Sequence, residues 1–257
     1  MKLSACIEWL FADGADSLAD RVHCAKKAGL DGVEFHLWRD KPIEDIKAAL
    51  DETGLTLTSF CVDPRRSIVD LTQQEELLTA IEGSAGAAQT LGCSKMIIAS
   101  GFVLPGKTPE EHFELAVATL KKAAALAEEK QVTLLLEPLN DKVDHPGMYL
   151  VSVSVALDLV EAVNSPNLRL IYDAYHSLVM GDDITTVLKG RMQWVEHIQV
   201  ADMPGRGAPG TGDIDWQAVM SMLESEGYKG WIGMEFVLND MTTAQAVAST
   251  RKALGME

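Results

Sequence analysis

Four polar residues interrupt or close apolar runs in the second half of the chain: Glu137 in VTLLLEPLN, Asp173 in LRLIYDAYH, Gln199 in WVEHIQVAD and Glu235 in WIGMEFV. If each run is a strand, its side chains alternate between two faces. The apolar neighbours Leu136, Tyr172, Ile198, Val200, Met234 and Phe236 then share one face, and the four polar groups share the other. Three carboxylates and an amide gathered at one place repel each other unless a cation sits among them. An all-oxygen donor set suits Mg²⁺ or Mn²⁺ better than a soft metal. The competing reading pairs each acid with its own Lys or Arg, but few basic residues lie near these run ends.

Other residues could join that site. His176 follows Asp173 by three positions and either touches a substrate or caps the segment after the run. Glu34 and His36 share one phase of an earlier run, DGVEFHLW; both are candidates for substrate contact, or else a buried hydrogen-bonded Glu and a packed His. Arg206 lies in a Gly- and Pro-rich stretch, from where it could reach an anionic substrate or remain a solvated loop cation. His197 reads as a hydrogen-bonded residue beneath Gln199, while His23, His112 and His145 show no evident partners. Cys6, Cys24, Cys61 and Cys93 form no CxxC pair and read as reduced thiols; Cys61 has no nearby His in sequence to activate it.

The elements that must position these groups alternate along the chain. Eight β-rich runs, LSACIEWL, DGVEFHLW, LTLTSFCVD, SKMIIASG, VTLLLEPL, LRLIYD, WVEHIQVA and WIGMEFV, are separated by amphipathic stretches such as 16–28, 42–52, 72–91, 109–130 and 149–163. Strict alternation implies a parallel sheet, and eight units suggest closure into a (β/α)₈ TIM barrel of α/β class. No linker, charge block or long repeat divides the chain, so one domain over residues 1–257 is expected, with 203–212 as an active-face loop. The polar run ends then lie at the C-terminal mouth, where such barrels build their sites.

Composition narrows the partners. Of 257 residues, 47% are hydrophobic and 23% charged, enough for a large core. Lys and Arg total 22 against 38 Asp and Glu, and the formal charge of −16 disfavours nucleic acid and anionic membranes. The opening segment lacks the pattern of a secretory signal and no run is long enough to span a membrane, so a cytoplasmic protein acting on a small molecule is expected, with a homo-oligomer left open. The stretch Gly101–Thr108 fits a phosphate-binding loop letter for letter. However, Phe102, Val103 and Leu104 are bulky and Pro105 has no N–H to offer a phosphate. Thr108-Pro109-Glu110-Glu111 reads instead as a capping box opening a helix.

Taken together, VEF at 33–35, EPLN at 137–140, DHPG at 144–147, YDAYH at 172–176, HIQVAD at 197–202, PGRGAPGTGDIDW at 204–216 and GWIGMEF at 230–236 resemble the hydroxypyruvate isomerase family. That family belongs to the xylose-isomerase-like TIM barrels, with the ketose 3-epimerases, the 2-oxo-tetronate isomerases and the barrel-type apurinic endonucleases. The resemblance implies that Glu137 and Glu235 are catalytic. It also implies that Glu137, Asp173, Gln199 and Glu235 hold a divalent ion and that His176 and Arg206 contact substrate. The expected reaction interconverts an α-hydroxy ketone and an α-hydroxy aldehyde, a sugar-like compound or keto acid, through an enediolate. The alternatives are 3-epimerisation of a ketose, isomerisation of a 2-oxo-tetronate, and non-catalytic binding of a sugar acid, which would not need both glutamates. HLWRD after Glu34 and LNDKVD after Pro138 depart from the expected family forms.

Overall fold

The computed structural model describes residues 1–257. Nine short strands form one parallel sheet: β1 (Lys2–Cys6), β2 (Gly32–Glu34), β3 (Thr56–Leu57), β4 (Phe60–Cys61), β5 (Lys95–Ala99), β6 (Thr133–Glu137), β7 (Leu168–Asp173), β8 (Val195–Val200) and β9 (Trp231–Met234). The order β3-β2-β1-β9-β8-β7-β6-β5-β4 ends on two consecutive segments, so β3 and β4 are halves of one barrel strand and the ring closes through them. The break falls at Thr58 and Ser59. There the backbone still bonds to the second strand, with Thr58 N–H donating to Val33 O at 2.9 Å and Cys61 N–H to His36 O at 2.9 Å. The eight expected strands are therefore present, the third of them kinked.

Helices α1 (Leu18–Lys27), α2 (Ile43–Thr53), α3 (Gln74–Leu91), α4 (Pro109–Glu129), α5 (Val153–Val163), α6 (Ala174–Met180), α7 (Trp216–Ser225) and α8 (Thr243–Leu254) follow the strands. Their starts obey local rules. Ser17, Ser152 and Asp215 accept backbone N–H groups as N-caps, and Thr108 and Thr242 form full capping boxes. The Thr108 box opens α4 with Pro109 in its first turn, so the phosphate-loop spelling is a strand-to-helix turn.

The strand phase is visible in how the core divides. Leu136, Tyr172, Ile198, Val200, Met234 and Phe236 belong to a 68-residue cluster between sheet and helices. Cys61, Ile97, Leu135 and Ile171 form a separate cluster inside the barrel. Leu135 precedes Glu137 by two residues and Ile171 precedes Asp173 by two, so this small apolar layer lies in the same phase as the polar strand ends, one step below them. It gives the β4 to β7 side of the mouth an apolar floor.

Candidate active site

The barrel mouth encloses a cavity of about 90 Å³, lined by Glu137, Gln199, Glu235, His176, Arg206 and Arg65 among others. Asp173 adjoins it through Arg206, whose Nη2 is 3.6 Å from Asp173 Oδ2 and 3.5 Å from Glu235 Oε2. Register explains the convergence: Asp173 pairs with Gln199, and Gln199 with Gly233, two residues before Glu235.

Asp173 ends its strand as the N-cap of α6, its Oδ1 accepting the N–H of Tyr175 at 2.7 Å and of His176 at 3.1 Å. That turn sets His176 beside the carboxylate, with Nε2 3.7 Å from Asp173 Oδ2. On the other side of the ring, Nδ1 accepts the Asn140 backbone N–H at 3.3 Å and the Asn140 side-chain N–H at 2.6 Å. The Asn140 amide is itself oriented, because its Oδ1 accepts the N–H groups of Val143 and Asp144, each at 3.0 Å. A ring nitrogen facing a backbone N–H must be the acceptor, so neutral His176 carries its proton on Nε2 and donates into the site.

Glu34 occupies the layer below. It is 2% exposed. Its Oε2 accepts Ser4 Oγ at 2.9 Å and Thr58 Oγ1 at 3.0 Å and lies 2.9 Å from His197 Nε2, while its Oε1 accepts Gln199 Nε2 at 2.9 Å. Burial alone would raise its pKa, but His197 and Gln199 outweigh burial and hold it below the usual carboxylate range. With its oxygens taken, Glu34 fixes which way Gln199 points: the amide nitrogen faces Glu34, leaving Gln199 Oε1 turned elsewhere. Gly233 makes room for this pair, since a Cβ there would fall 2.5 Å from Glu34 Oε1 and 2.8 Å from His197 Nε2.

His36 Nε2 lies 2.8 Å from Glu235 Oε1 and 3.4 Å from Cys6 Sγ. The Arg206 guanidinium stacks over Trp9 at 4.6 Å and Tyr175 at 5.0 Å, and its Nη1 is 4.0 Å from Asp144 Oδ1. The two glutamates differ electrostatically. Burial, followed by the charges of Glu235 and Asp173, pushes Glu137 well above the usual carboxylate range. Burial pushes Glu235 the same way, but the His36 hydrogen bond and the Arg206 charge outweigh it and hold Glu235 well below that range. Burial also raises Asp173 despite His176 and Arg206. A divalent ion among these groups would favour ionisation of all three.

The donor set fits such an ion. Three buried oxygens, Asp173 Oδ2, Gln199 Oε1 and Glu235 Oε2, have no hydrogen-bond partner. Asp173 Oδ2 and Glu235 Oε2 have the Arg206 charge at 3.6 and 3.5 Å, and Gln199 Oε1 has no such neighbour; a buried polar atom without a hydrogen bond is costly unless something else satisfies it. Glu137, Asp173 and His176 also bring ligand atoms within 4.8 Å of one another, as do Cys6, His36 and Glu235. The Nε2 proton of neutral His176 argues against that ring as a ligand, which leaves the oxygens.

Several side chains have roles the sequence did not signal. Arg65 and His145 line the cavity, and the His145 ring sits 5.4 Å from that of His176. His112, expected to lack partners, accepts Leu104 N–H at Nε2 over 2.8 Å, has Nδ1 2.9 Å from Thr108 O and stacks on Tyr149. His23 has Glu52 at 3.5 Å. Burial pushes the Cys61 thiol up to about 12, which removes it as a nucleophile.

Comparison with known proteins identifies the family of the fold. The model of the xylose isomerase-like TIM barrel family matches residues 22–254. A provisionally named hydroxypyruvate isomerase of Streptomyces coelicolor is 32% identical, covering 89% of this chain and 88% of its own. The hydroxypyruvate isomerase of Escherichia coli is 30% identical over 96% of each chain, and the 2-oxo-tetronate isomerase of Pectobacterium atrosepticum is 26% identical over 91% of each. A solved structure from Brucella melitensis, described as AP endonuclease, family 2, matches with TM-score 0.88 and 27% identity over 96% of each chain.

Proposed function

Within the xylose isomerase-like TIM barrel family, to which the chain belongs, we propose that this enzyme, an isomerase of the sugar and keto-acid class, interconverts hydroxypyruvate and tartronate semialdehyde. The observation that carries this reading is the pairing of Glu137 and Glu235 with two arginines in a cavity of only about 90 Å³. Drug-sized ligand pockets run to roughly 300 Å³ or more, so a three-carbon acid suits this mouth better than a six-carbon ketose.

A divalent ion held by Glu137, Asp173, Gln199 and Glu235 would supply Lewis-acid polarisation of the substrate carbonyl. The chain's own groups move the protons. One of the two glutamates takes a proton from C3 of hydroxypyruvate, giving an enediolate, and the other delivers a proton to C2. The hydroxyl proton on the C3 oxygen ends on the C2 oxygen, so the exchange balances without any oxidant or reductant. His176 donates its Nε2 proton in a hydrogen bond to one of those oxygens. Arg206, already against Asp173 and Glu235, balances the charge that collects on the acids and the enediolate. The apolar layer beneath and the rings of Trp9 and Tyr175 keep bulk water from quenching the intermediate.

The similarity to a 2-oxo-tetronate isomerase favours one second reading, the same chemistry on a four-carbon acid. Assaying hydroxypyruvate, 2-oxo-tetronates and free ketoses side by side with Mn²⁺ separates them. The expected order places hydroxypyruvate first and neutral ketoses last; turnover of neutral ketoses alone would end both acid readings.

A further inference from the structure

We infer that Arg65, in the loop after β4, is the anchor for the substrate's carboxylate, a deepening that rests on the acid-isomerase reading above. The argument begins with what each arginine already holds. Arg39, Arg66, Arg191 and Arg206 face carboxylates, and Arg21, Arg169 and Arg251 donate to backbone carbonyls. Arg65 donates only to the Cys61 thiol, at 3.9 Å, and has no carboxylate within ion-pair distance. Its guanidinium is the uncommitted cation of the mouth.

Its position suits an incoming anion. Arg65 lines the inner cavity together with Glu137 and Glu235. With His145 it also lines an outer groove of about 430 Å³, so it stands where solvent meets the reacting groups. Burial works against the Arg65 cation, but its neighbours Cys61, Glu137 and Glu235 outweigh burial, and the cation favours ionised Glu137 in return. Arg206, by contrast, lies between Asp173 and Glu235, and a carboxylate drawn to it would have to approach two like charges closely.

The loop that carries Arg65 is tied down on every side. Asp63 N–H donates to Ser84 Oγ at 3.1 Å, and Asp63 accepts Arg39 N–H at Oδ2 and Arg39 Nε at its carbonyl. The Arg65 carbonyl accepts Arg66 Nη1 at 2.8 Å, and Ser67 N–H donates to Gln73 Oε1 at 3.1 Å. The backbone is therefore held while the side chain is solvated, which limits the ordering cost of gripping a planar carboxylate with a planar fork of N–H donors.

The test uses the Mn²⁺-loaded full chain and two unreactive or neutral probes, tartronate for the acid and dihydroxyacetone for the uncharged counterpart, titrated calorimetrically. In Arg65→Met, tartronate affinity should fall about ten- to a hundredfold, whereas dihydroxyacetone affinity should fall less than about threefold. Arg65→Lys should recover part of the tartronate loss, which also shows that the loop remains folded. Unchanged tartronate affinity in Arg65→Met, an equal loss for both probes, or no tartronate binding by the unmodified chain would overturn the assignment. Because the readout is binding, Arg65-dependent tartronate affinity in a protein that fails to isomerise hydroxypyruvate would leave the anchor standing and defeat only the proposed reaction.

Discussion

At the scale of single residues, the four polar strand ends were legible because strand alternation is local: one apolar neighbour on each side is enough to assign a face. The state of Glu34 was not legible. Its donors Ser4, Thr58, His197 and Gln199 come from three other barrel strands, and only closure brings them to one carboxylate. Glu34 was a candidate for substrate contact; with four donors around it, we assign it to positioning Gln199. His176 carries a similar lesson, since its tautomer depends on Asn140 in another loop. Replacing Asn140 by Leu removes the side-chain donor and the brace to Asp144. We expect kcat to fall about ten- to a hundredfold with a smaller change in KM, measured by steady-state kinetics. An unaltered kcat would show that the orientation of this ring is unimportant.

Among the elements, the loop between β8 and α7 depends on one buried carboxylate. Asp202 accepts Met203 N–H at 2.9 Å and Ile214 N–H at 3.3 Å through Oδ1, and Gly210 N–H at 2.8 Å and Trp216 Nε1 at 3.2 Å through Oδ2. This clasp shapes the Gly- and Pro-rich stretch that delivers Arg206. Asp202→Ala leaves those donors unpaired, so a loss of at least ~2 kcal/mol in denaturant unfolding is expected, with reduced turnover as Arg206 loses its seat. The sequence signalled a loop here from its glycines and prolines, but not the residue that folds it. In β9, Gly233→Ala would drive a methyl into the Glu34 and His197 pair and should cost ~1–3 kcal/mol; retention of full stability would mean that this layer yields easily. The link from the first loop to α8 is pH-sensitive. Burial opposes ionisation of Asp13, but hydrogen bonds from Thr243 outweigh it and lower its pKa. A depressed carboxyl stabilises the fold above its unfolded pKa, about 3.9, and that contribution fades as pH falls towards the folded value. Asp13→Asn should therefore reduce stability at neutral pH and narrow the gap to wild type in acid, read from urea midpoints across pH.

For the whole molecule, the βα rhythm made the barrel legible, because a parallel sheet of eight units has few other ways to bury both faces. The kink between β3 and β4 was hidden, since LTLTSFCVD has an unbroken strand-like composition, and the Thr58 hydroxyl bonds Glu34 while its backbone N–H keeps its bond to Val33. We propose that residues 1–257 act as one domain: the main core cluster runs from Leu3 to Leu254, so thermal melts followed by circular dichroism and tryptophan fluorescence should coincide. Two separated transitions would divide it. No helix is long and apolar enough to cross a membrane. The net charge of −16 bears on the match to a structure described as an AP endonuclease. Such a chain forfeits the counterion release that supports DNA affinity, and abasic duplex DNA should neither bind at physiological salt nor be cut. Zinc-dependent nicking that disappears in Glu235→Gln would contradict this.

The central claim is that Glu137 and Glu235 move a proton between adjacent carbons of a small keto acid. Proton NMR of hydroxypyruvate in deuterated water, with Mn²⁺-loaded protein present during exchange and removed before recording, tests it most directly. The account predicts that the C3 proton signal is lost through deuterium incorporation with the unmodified chain. In Glu137→Gln and Glu235→Gln, exchange should slow by about 10²–10⁴-fold. No deuterium incorporation by the unmodified chain, or undiminished incorporation in either variant, would contradict it.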